Sequence, residues 1–128
     1  MVTTRDPAAI AYDVAEQVRV LTAATEQPAA LPDVAAVRDV TEGLHLAVGQ
    51  LPAVLEQLGR ALVAVDEQQR LTPTGSGPED AVSSVLRGFL HAREGLAVVR
   101  QELRAAGPLL ALLEARPAPA EAAPSAQR

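Results

Sequence analysis

Cysteine, tryptophan, lysine and asparagine are absent, and tyrosine and phenylalanine occur once each, at Tyr12 and Phe89. Without cysteine there is no disulfide framework, no thiolate nucleophile and no sulfur ligand for a metal. With so few rings the chain has little of the aromatic area that commonly anchors ligands and partners, so any core is built from Val, Leu and Ala. Arginine alone supplies the eleven basic side chains, against sixteen acidic ones. The net charge of −5 argues against direct nucleic-acid binding, which depends on clustered cations neutralising phosphates. The arginine bias, with 26 alanines, fits the codon usage of a G+C-rich genome better than selection for guanidinium chemistry.

Long hydrophobic runs are also lacking. The longest stretch without a formal charge, Gly43 to Leu55, falls well short of the roughly twenty apolar residues that cross a bilayer. Met1 to Asp6 shows no cationic stretch ahead of an apolar core, so no signal peptide is expected. The expectation is a cytoplasmic protein without membrane contact. Its 128 residues suit one modest domain.

What is present is heptad periodicity, twice over. Val34, Val37, Thr41, Leu44, Val48, Leu51, Leu55, Leu58, Leu62 and Val65 recur at alternating spacings of three and four. The pattern restarts at Val82, Val85, Phe89, Ala92, Leu96, Val99, Leu103, Ala106, Leu110 and Leu113. Such a period predicts two long helices facing each other. Asp6-Pro7, Pro32-Asp33 and Pro78-Glu79-Asp80 are helix starts, with proline at or next to the first helical position and a carboxylate at the positive end of the dipole. A first helix presents Ala11, Val14, Val18, Leu21 and Thr25 on one face, and Pro28 and Pro32 bracket the linker after it.

Pro52 stands inside the first seam, yet the heptad phase passes through it unshifted, which predicts a kinked but continuous helix. The segment Leu71 to Gly77 reads as a short loop, making the long helices antiparallel neighbours. Folding about that loop places Val34 near Leu113, Leu58 near Phe89 and Pro52 opposite Gly95. Gly107-Pro108 is expected to end or bend the third helix. The fold class is therefore all-α: an up-down-up three-helix bundle with helices at about 7–26, 33–70 and 78–106 and a short apolar extension at 108–115. Residues 1–115 form the domain, and the Pro/Ala-rich segment 116–128 is expected to be a disordered tail.

The stripe is wider than a two-stranded coil needs. Val40, Ala47, Val54 and Ala61 flank the first seam, Ala81, Gly88 and Gly95 stand at the equivalent places of the second, and Leu86 and Leu90 also lie off it. An apolar stripe covering three positions in seven belongs to a helix with more than one partner. A first helix of about 30 Å cannot cover seams of roughly 48 Å. The end around Leu55 to Val65 and Val82 to Leu90 is left short of neighbours, and a homodimer with a local four-helix arrangement is expected there. The uncharged outer face bearing Leu46, Gln50 and Ala53 is a further contact candidate. The candidate partner or dimer contacts are thus Leu46, Gln50, Val54, Ala61, Leu86 and Leu90.

Constellations for chemistry are missing. His45 and His91 fall on different helices about three turns out of register, so no shared metal site is expected. Glu42, Glu56, Glu94 and Glu102 read as solvated helix surface, Thr74 to Gly77 as a helix connection rather than a phosphate loop, and Ser83 and Ser84 have no base nearby. Arg87, Arg93, Arg100 and Arg104 give the third helix a basic side, with Glu94 and Glu102 interleaved and expected to neutralise it. No catalytic residue, cofactor or enzyme activity is expected.

The runs Asp6-Pro-Ala-Ala-Ile-Ala-Tyr-Asp-Val-Ala-Glu16, Leu51-Pro-Ala-Val-Leu-Glu-Gln-Leu58 and Pro78-Glu-Asp-Ala-Val82 resemble a group of small all-helical actinobacterial proteins. Members often lie near regulators or integrated mobile elements. The similarity covers most of the chain apart from the tail, without the Tyr- and Gly-containing insert that many members carry between the first two helices. The resemblance implies an actinobacterial, cytoplasmic context and no function to transfer. Two readings follow: a non-enzymatic protein–protein interaction or scaffold module that self-associates, or an accessory regulator, antitoxin-like or co-regulatory. The second would act on a DNA-binding partner without touching DNA itself.

Overall fold

A computed structural model of the chain describes residues 5–69 and 78–116. Three α-helices and one 3-10 turn account for nearly all of them: α1 (Pro7–Ala24), the turn Pro28–Ala30, α2 (Val34–Gln69) and α3 (Pro78–Ala115). The expected connection at 71–77 and the tail from 117 lie outside the described residues. No described helix is long and apolar enough to cross a membrane.

The helix starts follow from local chemistry. The Asp6 carboxylate accepts from the Ala8 amide at 3.4 Å, and that of Asp33 accepts from Ala36 at 2.9 Å. Each satisfies an amide that the first helical turn leaves free, and Pro7 has no amide hydrogen to strand. At the end of α1 the Thr25 amide closes on the Leu21 carbonyl at 3.0 Å.

Both interior prolines are absorbed. α2 runs unbroken through Pro52, as the unshifted phase predicts. α3 runs unbroken through Gly107 and Pro108 to Ala115, so the apolar extension belongs to α3. Around and beyond the proline Ala106, Gly107 and Leu110 are half-buried, and Arg38 of α2 reaches Glu114.

The helices α2 and α3 pack antiparallel along their length. Leu86 and Phe89 stand beside Gly59, and Arg100 beside Gly49, as folding about the loop requires. The seam, however, is rotated from the expected one. Residues less than about a third exposed on α2 include Val34, Arg38, Thr41, His45, Val48, Pro52, Leu55, Gly59, Leu62 and Asp66, with Ala35, Ala36, Val40 and Gly49 beside them. On α3 they include Val82, Leu86, Phe89, Arg93, Leu96, Leu103, Gly107 and Leu110. One column of each expected seam therefore faces the partner helix. The other column, Val37, Leu44, Leu51, Leu58 and Val65 on α2, is 36% to 49% exposed. On α3, Val85, Val99 and Leu113 are 42% to 47% exposed, Ala92 is exposed, and only Ala106 is half-buried.

The cause is steric. Gly59 lets Leu86 approach to 3.3 Å of where a β-carbon would stand, so the column Arg38, His45, Pro52, Gly59 and Asp66 can turn into the seam at that point. Gly95 has open space around its Cα and does not receive Pro52. No described residue is fully buried: a pair of helices has a seam but no interior.

Candidate interaction surfaces

Rotation in the same sense on two antiparallel helices turns both displaced columns to one side of the hairpin. That side carries Leu44, Leu51, Leu58 and Val65 from α2 and Val85, Ala92 and Val99 from α3, with Val54 (47% exposed) on its flank. Along α2 its uncovered stretch from Leu51 to Val65 is about 21 Å long. No charged residue stands within the two columns; Glu102 flanks the α3 column beyond Val99, and Glu56 pairs with Arg60 away from this side.

α1 stands over the other end of this side. Ile10, Val14, Val18 and Leu21 face Val40, Leu44 and Ala47 across an open groove of about 460 Å³. Ile10 lines the groove in the place expected for Ala11, and both residues are exposed. The helix is otherwise outward-looking; only Leu21 and Thr25 at its C-terminal end are half-buried. Its charges pair locally, Arg5 with Asp13 and Arg19 with Glu16. The Arg19 guanidinium holds the Glu16 carboxyl below its usual pKa, and Glu16 in turn raises Arg19.

The opposite side is different in kind. A concavity of about 410 Å³ is walled by Gly59, Val63, Phe89, Leu90 and Arg93, together with the paired Glu56 and Arg60. A second, of about 320 Å³, is walled by His45, Leu46, Gly49, Gln50, Ala53 and Arg100. A third, of about 490 Å³, lies along α3 between Arg100 and Arg104 over Ala97 and Ala105.

The six expected contact residues do not form one patch. Val54 and Ala61 flank the apolar side. Leu46 and Gln50 line the glycine-floored concavity on the other side, and Leu90, 48% exposed, lines the first concavity there. Leu86 is half-buried in the hairpin seam against Gly59, so substituting it tests folding rather than assembly. The columns Leu51–Leu58–Val65 and Val85–Ala92–Val99 are the exposed surface that sequence reasoning missed, because periodicity assigned them to the seam. Leu86, apolar yet off the expected seam, is the one residue that signals the rotation.

His45 lies within the seam. Both its ring nitrogens are buried without a hydrogen-bond partner. His91 is exposed on the outside of α3, and among the described residues no three His, Asp or Glu side chains converge as metal ligands do. Comparison with protein-family models, curated proteins and solved structures finds no match to this chain.

Proposed function

We propose that this chain is a non-enzymatic, self-associating helical interaction module whose apolar side is completed by a second copy. The observation that carries this reading is the pairing of two facts: no described residue is buried, and a charge-free double column of Val and Leu faces outward. Burial of apolar surface is the main force holding helices together, so a hairpin with half its stripe outside has much left to gain from a partner. Two helices wide and about 21 Å long, the open stretch offers on the order of 400 Å² per copy, about half of what a standard interface buries on each partner, and the groove beside α1 adds to it. Two such sides meeting face to face make a four-helix arrangement around Leu51, Leu58, Val85 and Ala92. The groove beside α1 extends the same side towards Val40.

Light-scattering mass after size exclusion, over a range of micromolar concentrations, tests the proposal. The wild type is expected to run as a dimer, and Leu58→Glu combined with Val85→Glu as a monomer of unchanged helicity. Leu46→Glu, on the opposite side, leaves the dimer intact. A wild type that stays monomeric across the range overturns the proposal, as does a dimer that Leu46→Glu dissolves and Leu58→Glu with Val85→Glu does not.

A further inference from the structure

Among the described arginines, Arg5, Arg19, Arg38 and Arg60 each pair with a carboxylate, whereas Arg116 at the end of α3 and four arginines within α3 do not. Arg87, Arg93, Arg100 and Arg104 have no carboxylate within 4.0 Å among the described residues, although the chain as a whole is acidic. Spacing explains this. Neither Glu94 nor Glu102 stands three or four residues from any of these arginines, the separations that bring helix neighbours face to face. Glu102 also falls on the apolar side of α3, away from Arg93, Arg100 and Arg104. The expected neutralisation by interleaving therefore does not form.

Arg93, Arg100 and Arg104 lie along the side opposite the apolar columns, over about 16 Å of helix. Arg100 is the hinge of the arrangement: it walls both the concavity floored by Gly49 and the one it shares with Arg104. Its Nε sits 3.4 Å from where a Gly49 β-carbon would stand, so the absent side chain is what lets the guanidinium lie across α2. Between the charged heads the floor is small and apolar, Ala53 on α2 and Ala97 and Ala105 on α3.

We infer that this face is a docking surface for an acidic protein helix, bearing carboxylates at matching separations of seven and four residues and small apolar residues between them. Guanidinium groups without internal partners are available for bidentate pairing with carboxylates, which gives orientation as well as attraction. A net charge of −5 repels a polyphosphate approaching from a distance, whereas a peptide of a few carboxylates meets chiefly the local arginines. The inference is independent of self-association, because it uses the other side of the hairpin.

Fluorescence anisotropy on the full chain tests it, with a helical peptide of about 20 residues carrying Glu at those separations on an Ala/Leu background. A Gln-for-Glu peptide and a duplex DNA oligomer are the comparison probes. The Glu peptide is expected to bind, with affinity falling as salt rises, and the Gln peptide to bind much more weakly. Arg100→Gln with Arg104→Gln is expected to lose about tenfold, and Arg19→Gln nothing. Equal binding of both peptides, or no loss in the double variant, overturns the inference. So does tighter binding of DNA, which would mark a phosphate-backbone surface. A change of light-scattering mass in the double variant would mark a contact between copies instead and overturn it equally.

Discussion

One side of the hairpin is built from regular columns of Val and Leu, and the other from Gly49, Gly59, His45 and a line of arginines. Sequence periodicity favours the first as the place where helices meet, since only there do apolar residues repeat at three and four. The helices turn instead so that the second side is drawn into the seam and the first is left half outside. Glycine admits the closest approach, and closeness along part of the seam sets the rotation of the whole pair. Hydrophobic pattern and closest approach are thus separate determinants, and here they select different edges of the same stripe.

The comparison can be broken most severely at Gly59. A leucine there would meet Leu86 and Phe89 at once, and overpacking of this kind costs about 1–3 kcal/mol. Gly59→Leu should lower the urea midpoint at fixed protein concentration and turn the pair towards the expected seam. That rotation would be read as loss of solvent exposure at Val85 by hydrogen exchange or labelling of a V85C probe. A smaller effect of opposite sign is expected from His45→Leu. Removing two buried, unpartnered nitrogens in favour of an apolar side chain should raise stability by about 1 kcal/mol, seen as a higher urea midpoint. The smallest effect belongs to Gly95→Ala. A β-carbon there meets nothing within 4 Å. The change should stabilise α3 by about 0.5–1 kcal/mol through helix propensity alone. If Gly95→Ala were as damaging as Gly59→Leu, close approach would not be what distinguishes the two glycines.

Part of the architecture was readable residue by residue. Asp6-Pro7 and Asp33 announce their helix starts by the chemistry of free amides, and the unshifted phase through Pro52 predicts the unbroken α2. Gly107-Pro108 misleads for a physical reason. The pair is a strong local breaker, but α3 continues past it, and Glu114 beyond it pairs with Arg38, 76 positions away in the chain. The candidate surfaces were readable only as a surplus of apolar positions. Which residues make up that surplus depends on rotation, so Leu58 and Val85 were assigned inward and Leu86 outward.

Periodicity, caps and the absence of strand-forming patterns determined three helices and the antiparallel order of the long two, because those properties depend on neighbours within one or two turns. The rotation of the hairpin and the side left uncovered were decided only when α2 and α3 met, whereas the spacing of Glu94 and Glu102 already leaves Arg93, Arg100 and Arg104 without a well-placed partner on their own helix. A stripe three positions in seven wide exceeds what one helix can cover, so composition permits either edge to become the seam. Steric fit between Gly59 and Leu86 selects one of them.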